Sequence, residues 1–195
     1  MGDMNGGRMQ YFKHEDSEGL LVTTAMDKKE TKDSFGSNAK AQDHNSIFGK
    51  ILFINFITSD YIVFSKGHRT PQGLFAENNL ILSTEHGPRG GDEINNIIYN
   101  KNYGWPISSY GETYVVDSSK TNYVKNHAIF GFEEPIFSFV PSIGISEIIK
   151  IPNEFSNKWF DNFLISSLNG RILYRIKFDK NYQKILFNEK IFIEG

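Results

Sequence analysis

The chain has 195 residues, 39% apolar and 23% charged, enough for one domain with a sizeable core or two small ones. Its formal net charge of -2 argues against a nucleic-acid binder, which needs clustered Lys and Arg to neutralise phosphates. Without cysteine there is no disulfide framework, thiolate zinc site or Cys nucleophile, and no run of about 18 apolar residues is present to span a membrane. The opening Met1-Gly2-Asp3-Met4-Asn5-Gly6-Gly7 lacks the basic and apolar regions of a secretory signal. Phe (17) and Tyr (9) are abundant and Gly (17) divides the apolar runs into short pieces, which points to β structure. Strands are expected over 9–13, 20–24, 50–56, 61–65, 79–83, 94–99, 113–117, 136–139 and 147–151. Residues 28–46 are polar and read as a long surface loop.

The clearest pattern follows. Residues 163–167, an Asn169-Gly170 turn, 171–178 and 183–187 read as a three-stranded meander, with both turn residues tolerant of positive φ. Ile172, Tyr174, Ile176 and Phe178 share one face of the middle strand; Leu173, Arg175 and Lys177 share the other. Residues 159–162 hold one helical turn at most. Many short strands separated by turns make a sandwich, a barrel or a propeller, and periodicity does not choose among them.

Two glycine- and proline-punctuated segments concentrate polar groups: Gly67-His68-Arg69-Thr70-Pro71-Gln72-Gly73, and Glu85-His86-Gly87-Pro88-Arg89-Gly90-Gly91-Asp92-Glu93 followed by Asn102-Tyr103-Gly104-Trp105-Pro106. Taken singly, each is a tight turn with solvated charges. Asp92 and Glu93 are adjacent on a strand, so they point to opposite faces and do not share a proton; they read as loop-fixing groups. His68 and His86 read as turn-fixing rather than metal-ligating.

Together these segments resemble the glucose/sorbosone dehydrogenase family, in which a Gly-His-Arg-Asn-x-Gln-Gly string precedes Glu-His-Gly-Pro-Arg-Gly-Gly-Asp-Glu and a later Asn-Tyr-Gly-Trp-Pro. Gly49-Lys50-Ile51-Leu52 and Phe163-Leu164-Ile165-Ser166-Ser167-Leu168 extend the likeness over most of 6–187. The resemblance implies an all-β fold, part of a six-bladed β-propeller of four-stranded antiparallel sheets, with about four blades in a single domain over 1–195. It implies an internal portion, with family strands before it and an Arg-x-Arg-Asp segment after it. It further implies pyrroloquinoline quinone (PQQ) held through calcium, an aldose substrate, an external electron acceptor and a periplasmic or secreted setting.

The family's residues carry over position by position. The carbonyls of Gly87 and Pro88 would bind calcium, a hard ion suited to neutral oxygen, and Arg69 would pair with the cofactor through its planar donor fork. Thr70 stands where the family has Asn, Asn169 where it has Lys, and Phe139 where it has a stacking Trp. The general-base His is Met4 here; a thioether takes no proton, and general-base help is worth about 10²–10⁴ in rate. Asp3 matches an acidic neighbour and is the remaining weak base. Asp43-His44-Asn45-Ser46 imitates the base segment but lies in another loop. A non-catalytic propeller module binding a carbohydrate or protein is the alternative reading, and a calcium-dependent lactone hydrolase a weaker one that needs more carboxylate ligands than Asp92 and Glu93.

Overall fold

The computed structural model describes residues 6–27, 39–114 and 123–193. Thirteen strands form three sheets among them, antiparallel except for one two-residue edge strand. The first contains β1 (Met9–His14), β2 (Ser17–Thr23), β3 (Lys50–Asn55) and β4 (Tyr61–Lys66), with the two-residue β8 (Lys101–Asn102) added in parallel beside β4. The second runs β5 (Pro71–Glu77), β6 (Leu80–Glu85), β7 (Asp92–Asn96) and β9 (Phe137–Phe139). The third runs β10 (Ile145–Lys150), β11 (Phe163–Ser167), β12 (Ile172–Phe178) and β13 (Ile185–Phe192). Each sheet is a blade, and the all-β propeller expectation is borne out, with three blades among the described residues.

Period-2 patterning builds the stack. In β12, Tyr174, Ile176 and Phe178 are buried while Leu173, Arg175 and Lys177 are half-exposed, as the alternation requires. The second sheet is covered on both faces. Leu74 and Ile81 join Phe12, Leu21, Ile51 and Phe64 of the first sheet in one core. Their neighbours Phe75 and Leu82 turn the other way and meet Ile148, Phe163 and Ile165 of the third. Each fully buried Leu or Ile contributes about 1.5–3 kcal/mol, so these two seams hold the blades together.

The first strands of the sheets, β1, β5 and β10, lie side by side. Gly73 makes this approach possible: a Cβ there would come within 2.6 Å of the Ser146 carbonyl and 2.3 Å of Thr84 Oγ1. Sequence periodicity misses β5 and reads 67–73 as one loop. Only 67–70 connect; Pro71 opens the strand, the position where a missing N–H is tolerated. The β11–β12 turn also differs from expectation. Positive φ falls on Gly170 (82°) and Arg171 (52°), because Ser167 pairs with Ile172 and leaves a four-residue connection. The expected helical turn is a 3-10 turn at Asn157–Trp159. Most of the expected 113–117 strand, and 28–38 of the polar loop, lie outside the described residues.

Candidate functional site

Antiparallel succession puts the β2–β3, β4–β5, β6–β7, β9–β10 and β11–β12 connections at one end of the three sheets. Backbone hydrogen bonds lace them together. Met26 N–H donates to the Arg69 carbonyl (2.7 Å), His86 N–H to that of Thr70 (3.1 Å), Gly91 N–H to that of Phe139 (2.9 Å) and Asn169 N–H to that of Ile143 (3.2 Å). The β7–β9 connection starts at the opposite end. Because β8 runs parallel to β4, it carries the chain back and delivers Tyr103 and Trp105 to the same place. There Tyr103 stacks on His68 at 4.7 Å and Trp105 lies 5.3 Å from the Arg69 guanidinium. Gln42 and Asn102 exchange amide hydrogen bonds, and Gln42 also donates to the Trp105 carbonyl at 2.6 Å, which fixes this segment against the β2–β3 connection.

Three carboxylates at the ends of β6 and β7 organise the loops. Glu85 accepts from Nδ1 of His68 (3.0 Å) and from the Arg69 N–H. Asp92 accepts from Gly87 N–H (2.9 Å) with one oxygen and from Ile143 and Ile145 N–H (3.0 Å each) with the other. It thus ties the Gly87–Gly91 loop to the third blade, a loop-fixing role like the one its place in the sequence gives it. Glu93 points to the other side, toward Asn95 (3.4 Å) and His127 (3.8 Å). Burial and the neighbouring Glu85 push its carboxyl well above the ordinary range.

Arg69 is 6% exposed and donates through Nη1 to the His86 carbonyl at 2.9 Å. Burial lowers its pKa, opposed by Tyr114, Tyr123, Glu85 and Asp92. Its Nε, with His86 Nε2, Trp105 Nε1 and Ser108 Oγ, is buried without a hydrogen-bond partner among the described residues. All four residues line a cavity of about 10 Å³, the size of one water molecule, together with Glu93 and Gly87. Burial also pulls the His86 imidazole below its usual value, with Arg69 adding to the effect.

The Gly87–Gly91 loop is closed on itself. A Cβ at Gly87 would lie 2.2 Å from the Gly91 carbonyl oxygen, and Gly111 backs the Pro88 ring from the β7–β9 connection. Arg89 and Glu112 pair backbone to backbone at 3.0 and 2.7 Å. Among the described residues neither the Gly87 nor the Pro88 carbonyl accepts a hydrogen bond, so both oxygens remain uncommitted. No group of three His, Asp or Glu side chains among the described residues is placed to hold a metal.

The structure therefore brings Arg69, Thr70, Gly87 and Pro88 together. Thr70 is buried, its carbonyl engaged by His86. Asn169 is exposed on the β11–β12 connection, with its N–H on Ser167 and Ile143. The Phe139 ring is placed elsewhere: it packs on Phe137 (4.8 Å) and Tyr174 (5.3 Å) in the core between the second and third blades. Only its carbonyl reaches the loop, because a strand residue whose backbone pairs with Asp92 turns its side chain into the sheet face. Asp3 and Met4 lie outside the described residues. His44 is exposed and contacts Lys66 at 2.9 Å, in the β2–β3 connection rather than beside Arg69. Sequence reasoning missed Glu85 as the clamp of the 67–70 connection and His127 as the partner of Glu93. Glu85 had a signal, since it follows Ile81 and Ser83 on one face of β6; His127, distant in sequence, had none.

Known proteins similar to this chain bear on its family and fold. Residues 2–194 match the family model described as Glucose / Sorbosone dehydrogenase. The aldose sugar dehydrogenase YliI of Escherichia coli (strain K12) is 33% identical over 111 residues, 56% of this chain and 29% of that protein. Quinoprotein glucose dehydrogenase B of Acinetobacter calcoaceticus is 39% identical over 77 residues, 33% of this chain and 16% of that protein. A crystal structure of a glucose dehydrogenase superposes with a TM-score of 0.76 at 26% identity over 95% of this chain. The chain covers 54% of that structure, so it spans about half its length.

Proposed function

Because the chain belongs to the glucose/sorbosone dehydrogenase family, we propose that it forms the cofactor-bearing part of a quinone-dependent aldose dehydrogenase, with PQQ and calcium at the Gly87–Gly91 loop. The observation that carries this reading is the pair of uncommitted carbonyls at Gly87 and Pro88 beside the buried Arg69. A hard divalent ion takes neutral carbonyl oxygens, and a loop held by Asp92 presents them without rearrangement. The donor set fits the group: two carbonyls for the ion and one guanidinium for an anionic, carbonyl-rich cofactor. When bound, the quinone would supply hydride acceptance and calcium would polarise it.

The chain's own residues do the holding. Arg69 is pinned by the His86 carbonyl and flanked by Trp105, so its remaining donors face a fixed direction. Thr70 and Asn169 extend the same end of the blades and would contribute a hydroxyl and an amide where the family has an amide and an ammonium. Proton removal from the sugar hydroxyl is the step this sequence is least equipped for, since Met4 occupies the base position and Asp3 is the nearest substitute. We therefore expect cofactor binding to exceed turnover. An external electron acceptor and a periplasmic setting belong to the same reading; among the described residues no helix is long and apolar enough to cross a membrane.

The test is reconstitution of the purified chain with PQQ and calcium, following the quinone absorbance and aldose-dependent dye reduction. Absence of cofactor binding at millimolar calcium would sink the proposal. Binding without turnover leads to Met4→His, and restored dye reduction would place the lost base at that position.

A further inference from the structure

Glu93 stands directly across from Glu85 on the adjoining strand, where two ionised carboxylates repel. Glu85 is fully committed as an acceptor, to His68 and to the Arg69 N–H. Among the described residues Glu93 has only the Asn95 amide at 3.4 Å on one oxygen, and its other oxygen faces His127 Nε2 at 3.8 Å. The opposite ring nitrogen of His127, Nδ1, lies 3.2 Å from the Glu133 carbonyl. A carbonyl only accepts, so the ring proton of a neutral His127 belongs on Nδ1 and a lone pair on Nε2 faces Glu93. At 3.8 Å the two atoms stand beyond hydrogen-bond distance, and among the described residues Nε2 is buried without a hydrogen-bond partner, so a proton on Glu93 is the donor this lone pair lacks. His127 is itself held in the β7–β9 connection, stacked on Tyr110 at 5.4 Å and with its N–H on Glu134.

We propose that Glu93 acts as a carboxylic acid whose proton is directed to the unpartnered Nε2 of His127, and that this approach helps hold the described residues of the β7–β9 connection so that Trp105 stays over Arg69. Glu93 is then a positioning residue, acting on the site through Trp105. The surrounding groups agree. Glu85 from β6, Asp92 from its own strand and Glu134 from the connection all disfavour a charge on Glu93, and burial does so most. Arg69, which shares the small cavity, is the one cation facing it among the described residues, alongside His86 and the Tyr103 phenol. Burial likewise lowers the pKa of His127, which favours its neutral form, against the pull of Glu134.

The sign follows. Glu93 has a folded-state pKa raised above its unfolded value. Its contribution to stability is complete below the ordinary glutamate range and is lost as pH rises through the folded value.

The experiment measures folding and tryptophan environment, so it stands apart from cofactor binding. The chain has two tryptophans, and Trp159→Phe leaves Trp105 as the sole reporter. Thermal unfolding midpoint and Trp105 emission are followed from about pH 5 to about pH 9. With Glu93 intact the midpoint falls and the emission shifts to the red as pH rises. Glu93→Gln, whose amide mimics the protonated acid, removes that pH-dependent loss and is the more stable protein at the upper end. His127→Ala gives red-shifted emission across the whole range. Equal pH profiles for Glu93→Gln and its parent would overturn the proposal. If the variant does not fold, infrared spectra of the parent decide: a carboxylic-acid C=O band persisting at neutral pH supports it, and the lack of one overturns it.

Discussion

Glu85 accepts a hydrogen bond from Nδ1 of His68 at 3.0 Å while its other oxygen takes the N–H of Arg69. One buried carboxylate therefore fixes two consecutive residues of the connection that carries the site's arginine. The His68 ring is held on its second nitrogen by Ser65 Oγ at 2.8 Å and on its face by Tyr103. Replacing Glu85 with Gln removes the charge and turns one acceptor into a donor, which either faces the Arg69 N–H or forces His68 into its other tautomer and reverses the Ser65 contact. We predict a loss of about 1–3 kcal/mol from the unsatisfied buried group, read as a lower urea midpoint with an unchanged slope. Glu85→Gln at wild-type stability would show that this carboxylate does not organise the connection.

Asp92 gives a prediction of another kind, because its three N–H donors come from two blades. Asp92→Asn keeps the shape but presents an amide donor toward one of those N–H groups. The expected cost is again about 1–3 kcal/mol, with a further effect on the Gly87–Gly91 loop. Calcium-dependent quinone binding should weaken more than tenfold in Asp92→Asn, whereas Glu93→Gln leaves it within about twofold, since its amide keeps the shape of the protonated acid and, among the described residues, Glu93 makes no hydrogen bond to the loop. Equal losses in both variants would contradict the separate roles assigned to these neighbours.

How far these arrangements were readable beforehand depends on the range of the interaction. The two faces of β12 follow from alternation alone, and so does the opposite orientation of Asp92 and Glu93. The inner strand β5 is hidden because Pro71 and Gly73 are poor strand residues; they are there for a strand start and for contact with Ser146, facts about neighbours rather than local propensity. Phe139 shows the limit of carrying a role by position. Its backbone sits beside the Gly91 N–H, yet the pairing with Asp92 turns its ring into the core. The Glu93–His127 contact spans the long β7–β9 connection, and nothing in local sequence announces it.

The closed Gly87–Gly91 loop makes Gly87 a sensitive position. A methyl group there meets the Gly91 carbonyl oxygen at 2.2 Å and the Gly90 oxygen at 2.4 Å, both backbone atoms that cannot swing away. Gly87→Ala should open the loop and displace both candidate calcium carbonyls. Gly131→Ala is the control for glycine substitution at large: its φ is also positive, at 70°, but a Cβ there meets nothing within 4 Å. We expect Gly131→Ala to cost only the backbone term, about 1 kcal/mol or so, with quinone binding intact, while Gly87→Ala loses calcium-dependent binding altogether.

Arg8 and Glu147 test how much the first strands depend on charge. Arg8 Nη1 lies 3.0 Å from Glu147 Oε2, and Arg8 Nε donates to the Gln72 carbonyl at 2.6 Å, so residues beside β1, on β5 and on β10 meet at one point. The picture invites a large stabilising role, but the side chains are 43% and 33% exposed. Solvent screens such a pair, and exposed pairs are worth about 0.2–1 kcal/mol. The seams of Leu, Ile and Phe side chains between blades outweigh that many times over. A double-mutant cycle with Arg8→Gln and Glu147→Gln should return a coupling below about 1 kcal/mol that shrinks further in about 1 M salt. A coupling of several kcal/mol, insensitive to salt, would mean that the pair is shielded from water and that the blades are registered by charge as well as by packing.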